Sequence, residues 1–271
     1  MKKALFFILA TALLMTACGK EADVVDSDAV VDAENTVDDI DIAEVKFAKE
    51  LAEDMSPVDI TNQFEPTDTI NISVKVPGRP KEGIITARFF YGDQLIAETS
   101  VDLADTNSTV IFSFGQDTFV GFNLTYDDAF PISPNYYVEL YIDDQFVGDY
   151  EYQIIPPADA IPSIINKVIF AKGIDDALGP VEPTNEFSPQ DTVFLFGYGD
   201  IGNLSSLQAE WIVGDGMIVE DCLSYLIADQ NYPDNQFYFS CALDDGWPSG
   251  THSFSLILDD IEILNESFIV E

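Results

Sequence analysis

Beyond residue 44 the chain is written in short runs of alternating apolar and polar residues. In "YYVELYID" (136–143), Val138, Leu140 and Ile142 fall on one side and Tyr137, Glu139 and Tyr141 on the other. A period of two marks a half-buried strand, because successive side chains leave a strand on opposite faces. "FSLILDD" (254–260) repeats the pattern with Phe254, Leu256 and Leu258 on the inner side. "TINISVKV", "TVIFSFG", "TVFLFGYG" and "NQFYFSCAL" predict further strands. Turn chemistry separates the runs. Asp143–Asp144 and Asp259–Asp260 each predict a hairpin turn, and Asp215–Gly216 suits a third in "EWIVGDGMIVE", where φ must be positive. Many short strands at regular spacing predict an all-β chain of two-sheet sandwiches.

The pattern occurs twice. "TNQFEPTDTI" (61–70) returns as "TNEFSPQDTV" (184–193), an offset of 184 − 61 = 123. "FAK" (47–49 and 170–172) and "PV" (57–58 and 180–181) keep that offset, whereas "VELYIDDQFVGDYEYQI" from Val138 parallels "FSLILDDIEILNESFIV" from Phe254 at 254 − 138 = 116. The difference of 123 − 116 = 7 is a net deletion in the middle of the second copy. A long-period echo of this kind means a duplicated folding unit. The units are expected at 45–155 and 167–271, with a Pro-rich stiff linker at 156–166. Within the decamer, Phe64 and Phe187 are expected to plug a core. Pro66 and Pro189 fix φ in a turn, and Asp68 and Asp191 are placed to accept hydrogen bonds from nearby backbone N–H groups. The shared block therefore reads as a fold instruction rather than a binding motif.

The combination "F-x-P-x-D-T" early and "P-x-G-x-[aromatic]…D-D…F-x-V" late resembles the bacterial immunoglobulin-like repeats of exported lipoproteins, over most of 45–271. The resemblance implies two tandem immunoglobulin-like β-sandwiches and no particular activity. The first copy departs from it, with Ile132 and Pro134 where the second has Pro248 and Gly250. Tyr136 aligns with His252, so the corner bond that an aromatic hydroxyl makes in such folds is open to question in the second copy.

The first 44 residues follow another rule. Lys2 and Lys3 precede an apolar stretch, Ala4 to Leu14, too short to span a bilayer comfortably, so 1–17 is expected to be a signal peptide. "LMTAC" (14–18) resembles the lipobox of bacterial lipoproteins, with Met15 where that family usually has Leu. The resemblance implies lipid on Cys18 and a membrane anchor; ordinary secretion with a free Cys18 thiol is the alternative. Gly19 stands where Asp would direct inner-membrane retention, so the outer membrane or cell surface of the bacterial envelope is expected. The rest of 18–44 carries ten acidic residues, one base and no aromatic, a composition that stays disordered and extended. With Cys18 lipidated, Cys222 and Cys241 can pair in the oxidising compartment that export reaches; two buried free thiols are the other reading.

Charge and chemistry narrow the function. Net charge is −38, from 49 acidic and 11 basic residues, which opposes nucleic-acid binding and electrostatic docking on anionic lipid. His252 is the only histidine, and no nucleophile elbow, P-loop or dinucleotide fingerprint is present. No catalytic residue, cofactor or metal ligand is assigned. Asp127–Asp128, Asp175–Asp176 and Asp244–Asp245 read as turn residues, with weak calcium ligation the alternative. Tyr137, Tyr141, Tyr150 and Tyr152 form a candidate aromatic patch for a protein or glycan ligand. The expected function is non-enzymatic: a structural, adhesive or protein-binding envelope lipoprotein. A carbohydrate-binding or calcium-dependent recognition module comes second, and an enzyme with an unrecognised carboxylate site third.

Overall fold

The computed structural model describes residues 40–271 apart from residue 215. The expected signal peptide, Cys18 and the acidic linker as far as residue 39 lie outside the described residues. The rest is strand and loop, with one 3-10 turn at Glu220–Cys222 and no α-helix among the described residues.

Ten strands come from the first copy: β1 (Glu44–Leu51), β2 (Pro57–Ile60), β3 (Gln63–Phe64), β4 (Ile70–Pro77), β5 (Ile84–Tyr91), β6 (Gln94–Asp102), β7 (Ile111–Phe114), β8 (Asp117–Leu124), β9 (Ser133–Ile142) and β10 (Gln145–Ile154). Ten come from the second: β11 (Ile164–Ile174), β12 (Pro180–Pro183), β13 (Glu186–Phe187), β14 (Val193–Ile201), β15 (Ser206–Val213), β16 (Met217–Ile218), β17 (Ser224–Ile227), β18 (Tyr232–Cys241), β19 (Gly250–Leu258) and β20 (Ile261–Val270). The first set forms sheets ordered β2-β1-β4-β8-β7 and β3-β10-β9-β5-β6. The second forms β12-β11-β14-β18 and β13-β20-β19-β15-β16, with β17 also on β15. This is the immunoglobulin-like arrangement of two packed, mainly antiparallel sheets in each set. The chain forms two compact units whose boundary differs from that of the repeat, with Thr61–Ile70, Thr125–Tyr137 and everything from Glu151 onward in the second. No sheet mixes strands of the two sets.

The repeated decamer does in both sets what its chemistry dictates. Phe64 and Phe187 are 0% and 3% exposed. Asp68 Oδ2 accepts from Glu65 N–H at 2.6 Å and Asp191 Oδ2 from Ser188 N–H at 2.8 Å, closing the turn around each proline. The backbone N–H of Gln63 and of Glu186 donates to the preceding Thr61 or Thr184 hydroxyl at 3.0 Å. The short strand so shaped pairs parallel with the last long strand of its set: β3 with β10, and β13 with β20. The decamer is thus the point at which the chain changes sheets, and its phenylalanine is pinned between them.

The aspartate pairs form their hairpins. Asp143 and Asp144 have φ of 46° and 64°, and Asp259 and Asp260 have 51° and 64°, the doubly positive geometry of a two-residue turn whose twist matches that of strands. Asp143 Oδ1 also accepts from Ile84 N–H at 2.9 Å, and Asp259 Oδ1 from Ser206 N–H at 2.7 Å. Each turn is thereby clamped to the start of the neighbouring central strand. The hairpin expected in "EWIVGDGMIVE" forms as β15–β16, and its Asp215 lies outside the described residues.

Two features depart from the expectation. The segment expected to be a Pro-rich stiff linker, 156–166, enters β11 at Ile164. Before that it is strapped to the second set. Asn231 Oδ1 accepts from Ile161 N–H at 2.9 Å, Asn231 Nδ2 donates to Asp159 O at 2.9 Å, and the Ser163 and Ser205 hydroxyls lie 2.7 Å apart. Gly202 is required beneath the strap, because a Cβ there would stand 2.3 Å from the Ile161 carbonyl oxygen. The second departure concerns the seven-residue deletion. In the first set residues 103–116 cross from β6 to β8 and include β7, which pairs with β8. In the second set only residues 228–231 separate β17 from β18, and β18 ends its sheet with nothing paired beyond it among the described residues.

Candidate functional site

The four candidate tyrosines do not share a surface. Tyr137 and Tyr141 lie half-buried on the outer side of β9, as expected. Tyr141 donates its hydroxyl to Glu139 Oε2 at 2.7 Å, carries the Arg88 guanidinium 4.3 Å above its ring, and meets Phe146 edge-on at 5.7 Å. Arg88 is held there by Glu98 at 2.6 Å. Tyr152 is a correction. It is 1% exposed, stacked on buried Tyr136 at 5.3 Å and set edge-on to Phe64 at 6.1 Å. Burial pushes its phenol well above the ordinary range. Tyr150 shares the inward side of β10 with Tyr152 and Ile154, its hydroxyl lying over Gly148, and burial raises its phenol.

The equivalent hairpin of the second copy carries an irregularity that alternation alone does not foresee. The β19–β20 register slips by one between Leu256 and Ile257, whose partners are Leu264 and Glu262. A bulge adds one residue and reverses the phase of everything after it. No turn residue in the sequence announces that slip. The outer patch of the first set is therefore Tyr137, Tyr141 and the 56% exposed Phe146, which sequence reasoning missed.

His252 is a corner residue. Its ring is 3% exposed. Nδ1 accepts from Gly214 N–H at 3.2 Å, so the proton is on Nε2, which donates to the Pro248 carbonyl at 2.7 Å. Tyr136 donates its hydroxyl to Pro131 O at 2.9 Å in the matching place. The corner bond is kept in the second copy by a different side chain. Both ring nitrogens are engaged by backbone groups of the corner.

Cys222 and Cys241 are bonded, with Cα atoms 5.3 Å apart, tying the 3-10 turn to the end of β18. Of the acidic pairs, Asp175 spends its Oδ1 on the Ala177 and Gly179 amides at 2.9 and 2.7 Å, a turn role. Among the described residues no three of His, Cys, Asp and Glu gather in a metal-binding group.

The surface that stands out is at the open side of the second set. Tyr225, Leu226 and Ile227 of β17 are 50%, 47% and 57% exposed, consecutive large side chains on a strand that pairs only with β15 among the described residues. Tyr238 of β18 is 41% exposed and packs against the fully buried Phe196 and the half-buried Phe194 at ring distances of 5.8 and 6.3 Å. A groove of about 470 Å³ runs along β18, lined by Leu178, Ser224, Leu226 and positions 236–240. Sequence periodicity could not find it, because "SYLI" alternates too briefly to be assigned a face.

No protein-family model and no curated protein sequence matches the chain. Among solved structures it is similar to red sea bream transglutaminase, at 10% identity over 87% of this chain and 32% of that one, TM-score 0.29. It is similar to dimeric latent PorU from Porphyromonas gingivalis at 10% identity, over 85% and 20%, TM-score 0.26. It is similar to the human OSCAR ligand-binding domain at 12% identity, over 77% and 93%, TM-score 0.23. The chain spans about a third and a fifth of the length of the first two.

Proposed function

We propose that this is an exported, lipid-anchored envelope protein that displays two immunoglobulin-like modules and binds another protein without catalysing a reaction. The exposed run Tyr225–Leu226–Ile227 carries the binding reading: Tyr225 and Ile227 share one face of β17, Leu226 lines the groove beside β18, and exposed large apolar side chains mark interaction sites. The Cys222–Cys241 disulfide supports export, because such bonds persist in oxidising compartments. The anchor rests on the resemblance of residues 14–18 to a lipobox. A photo-crosslinking residue at Ile227, used on whole cells, is expected to give discrete protein adducts that vanish when Tyr225 and Leu226 are changed to Ser. Adducts that persist, or none at all, would remove this reading. Separately, Cys18→Ala is expected to abolish incorporation of a palmitate analogue; unchanged labelling removes the anchor.

The Tyr137–Tyr141–Phe146 patch favours a second reading, glycan binding through aromatic faces. It predicts glycan-array signals lost on Tyr137→Ala and Tyr141→Ala.

A further inference from the structure

We infer that β18 is an acceptor edge, completed by one extended, cationic strand from a partner protein that takes the place β7 holds in the first copy. This inference rests on the protein-binding reading above and specifies its mode.

Three observations converge. The first is internal to the chain. Both copies build the same sandwich, and in the first the strand β8 is covered by β7. In the second, the corresponding strand β18 pairs, among the described residues, with β14 along one side only. By strand geometry its other side presents a row of amide N–H and C=O groups with no ladder partner.

The second observation is the character of that edge. Natural sheets guard exposed edges with Pro, Lys, bulges or short strands. The other edge of the same sheet, β12, is guarded in this way: it is four residues long with Pro180 and Pro183 at its ends. On β18, Pro233 and the positive-φ Asp234 guard only the beginning. Positions 235–241, "NQFYFSC", contain no charge, no Pro and no Gly, and they pair with β14 without interruption from Asn235 to Cys241. Phe237 and Phe239 face the core and Tyr238 is exposed, and the stretch carries none of those guards; the Gln236 side chain donates to the Leu178 carbonyl near its beginning. The groove of about 470 Å³ runs beside it, and Leu226 on the far wall offers an apolar contact for alternate side chains of an added strand.

The third observation selects the occupant. Asp229 and Asp234 flank the beginning of the edge, and at its end Asp221, Asp244 and Asp245 line a second groove of about 670 Å³. Lys167 and Lys172 are the only bases after residue 160. A second copy of this chain, at net charge −38, would bring like charge to both ends. So would the acidic stretch before residue 40. A strand with Lys or Arg at its ends and apolar residues at every second position matches the ends and the groove alike.

The test uses the chain without its signal peptide and a labelled peptide, Lys-Lys-Val-Thr-Val-Thr-Val-Lys-Lys, followed by fluorescence anisotropy and amide hydrogen exchange. Saturable binding is expected, with slowed exchange in 235–241. The same peptide N-methylated at alternate residues is expected to bind at least tenfold more weakly, because it cannot complete a ladder. A version with Glu in place of Lys is expected to weaken similarly. Gln236→Lys with Ser240→Lys, both outward and outside the core, is expected to cost at least tenfold. Equal binding of the N-methylated peptide, or protection elsewhere than 235–241, would overturn strand addition. Binding that appears only after removal of residues 19–39, or a dimer in sedimentation whose 235–241 amides are already protected, would also overturn it, by showing the edge covered from within or by a second copy. Loss of strand addition with Ile227 crosslinking intact leaves the protein-binding reading standing; loss of crosslinking with peptide binding intact removes that reading instead.

Discussion

Asp191 shows how much one side chain can do. Its Oδ2 accepts from Ser188 N–H to close the Pro189 turn, and the Lys172 ammonium sits 2.8 Å away. The lysine hydrogen bond first, then the Ser188 amide, hold the carboxyl below the usual aspartate range. A depressed folded-state value stabilises the protein above the unfolded value of about 3.9, and that stability is lost as pH falls through the folded value. Asp191→Asn keeps an oxygen for Ser188 and removes the charge that Lys172 needs. Its melting temperature is expected to lie below that of the parent at pH 6, and the gap to narrow as pH falls below the unfolded aspartate value and through the depressed folded one. A gap of constant size down to pH 2.5 would assign the effect to shape rather than charge. Asp259 has the opposite sign. Burial raises its carboxyl against the hydrogen bonds from Ser206 and Ser205, so its ionised form costs stability above that raised value.

At the scale of the element, the disulfide has a definite task. It joins the turn at Glu220–Cys222 to β18 and encloses the excursion that carries β17. For a sequence separation of 19, chain entropy gives about 3 kcal/mol of stabilisation. Cys222→Ser with Cys241→Ser is therefore expected to lower the denaturant midpoint, with proteolytic nicking appearing first in 223–231. If the midpoint is unchanged, the closed loop is already ordered without the bond. Strand existence, the hairpin aspartates and the core phenylalanines of the decamer were all legible in the sequence, because turn chemistry and period two are local signals. The inward faces of Tyr150 and Tyr152 were not, because the side of β10 they take is decided by packing between strands. Nor was the open edge of β18. The deletion of seven residues was visible, but only the sheet order shows that it removed the strand that covers an edge.

For the whole molecule, charge is the dominant long-range force. A net charge of −38 in 271 residues destabilises the compact state by self-repulsion, which salt screens over about 10 Å at 0.1 M. The melting temperature is expected to rise as NaCl is raised from 10 to 300 mM and then level off. A flat response would mean that the acidic residues are spread widely enough to ignore one another. The same field favours cationic partners and disfavours self-association, at any surface the protein presents.

The strap before β11 carries a mechanical meaning. In a chain tethered by its N-terminus and gripped at β18, tension would reach the second module through residues 155–163. It would load Asn231 and Ser205 before it touched the first rung of the β11–β14 ladder. Asn231 directly precedes β18. A tug on the tether would thus be felt at the root of the gripped strand while the sandwich behind it stays shut.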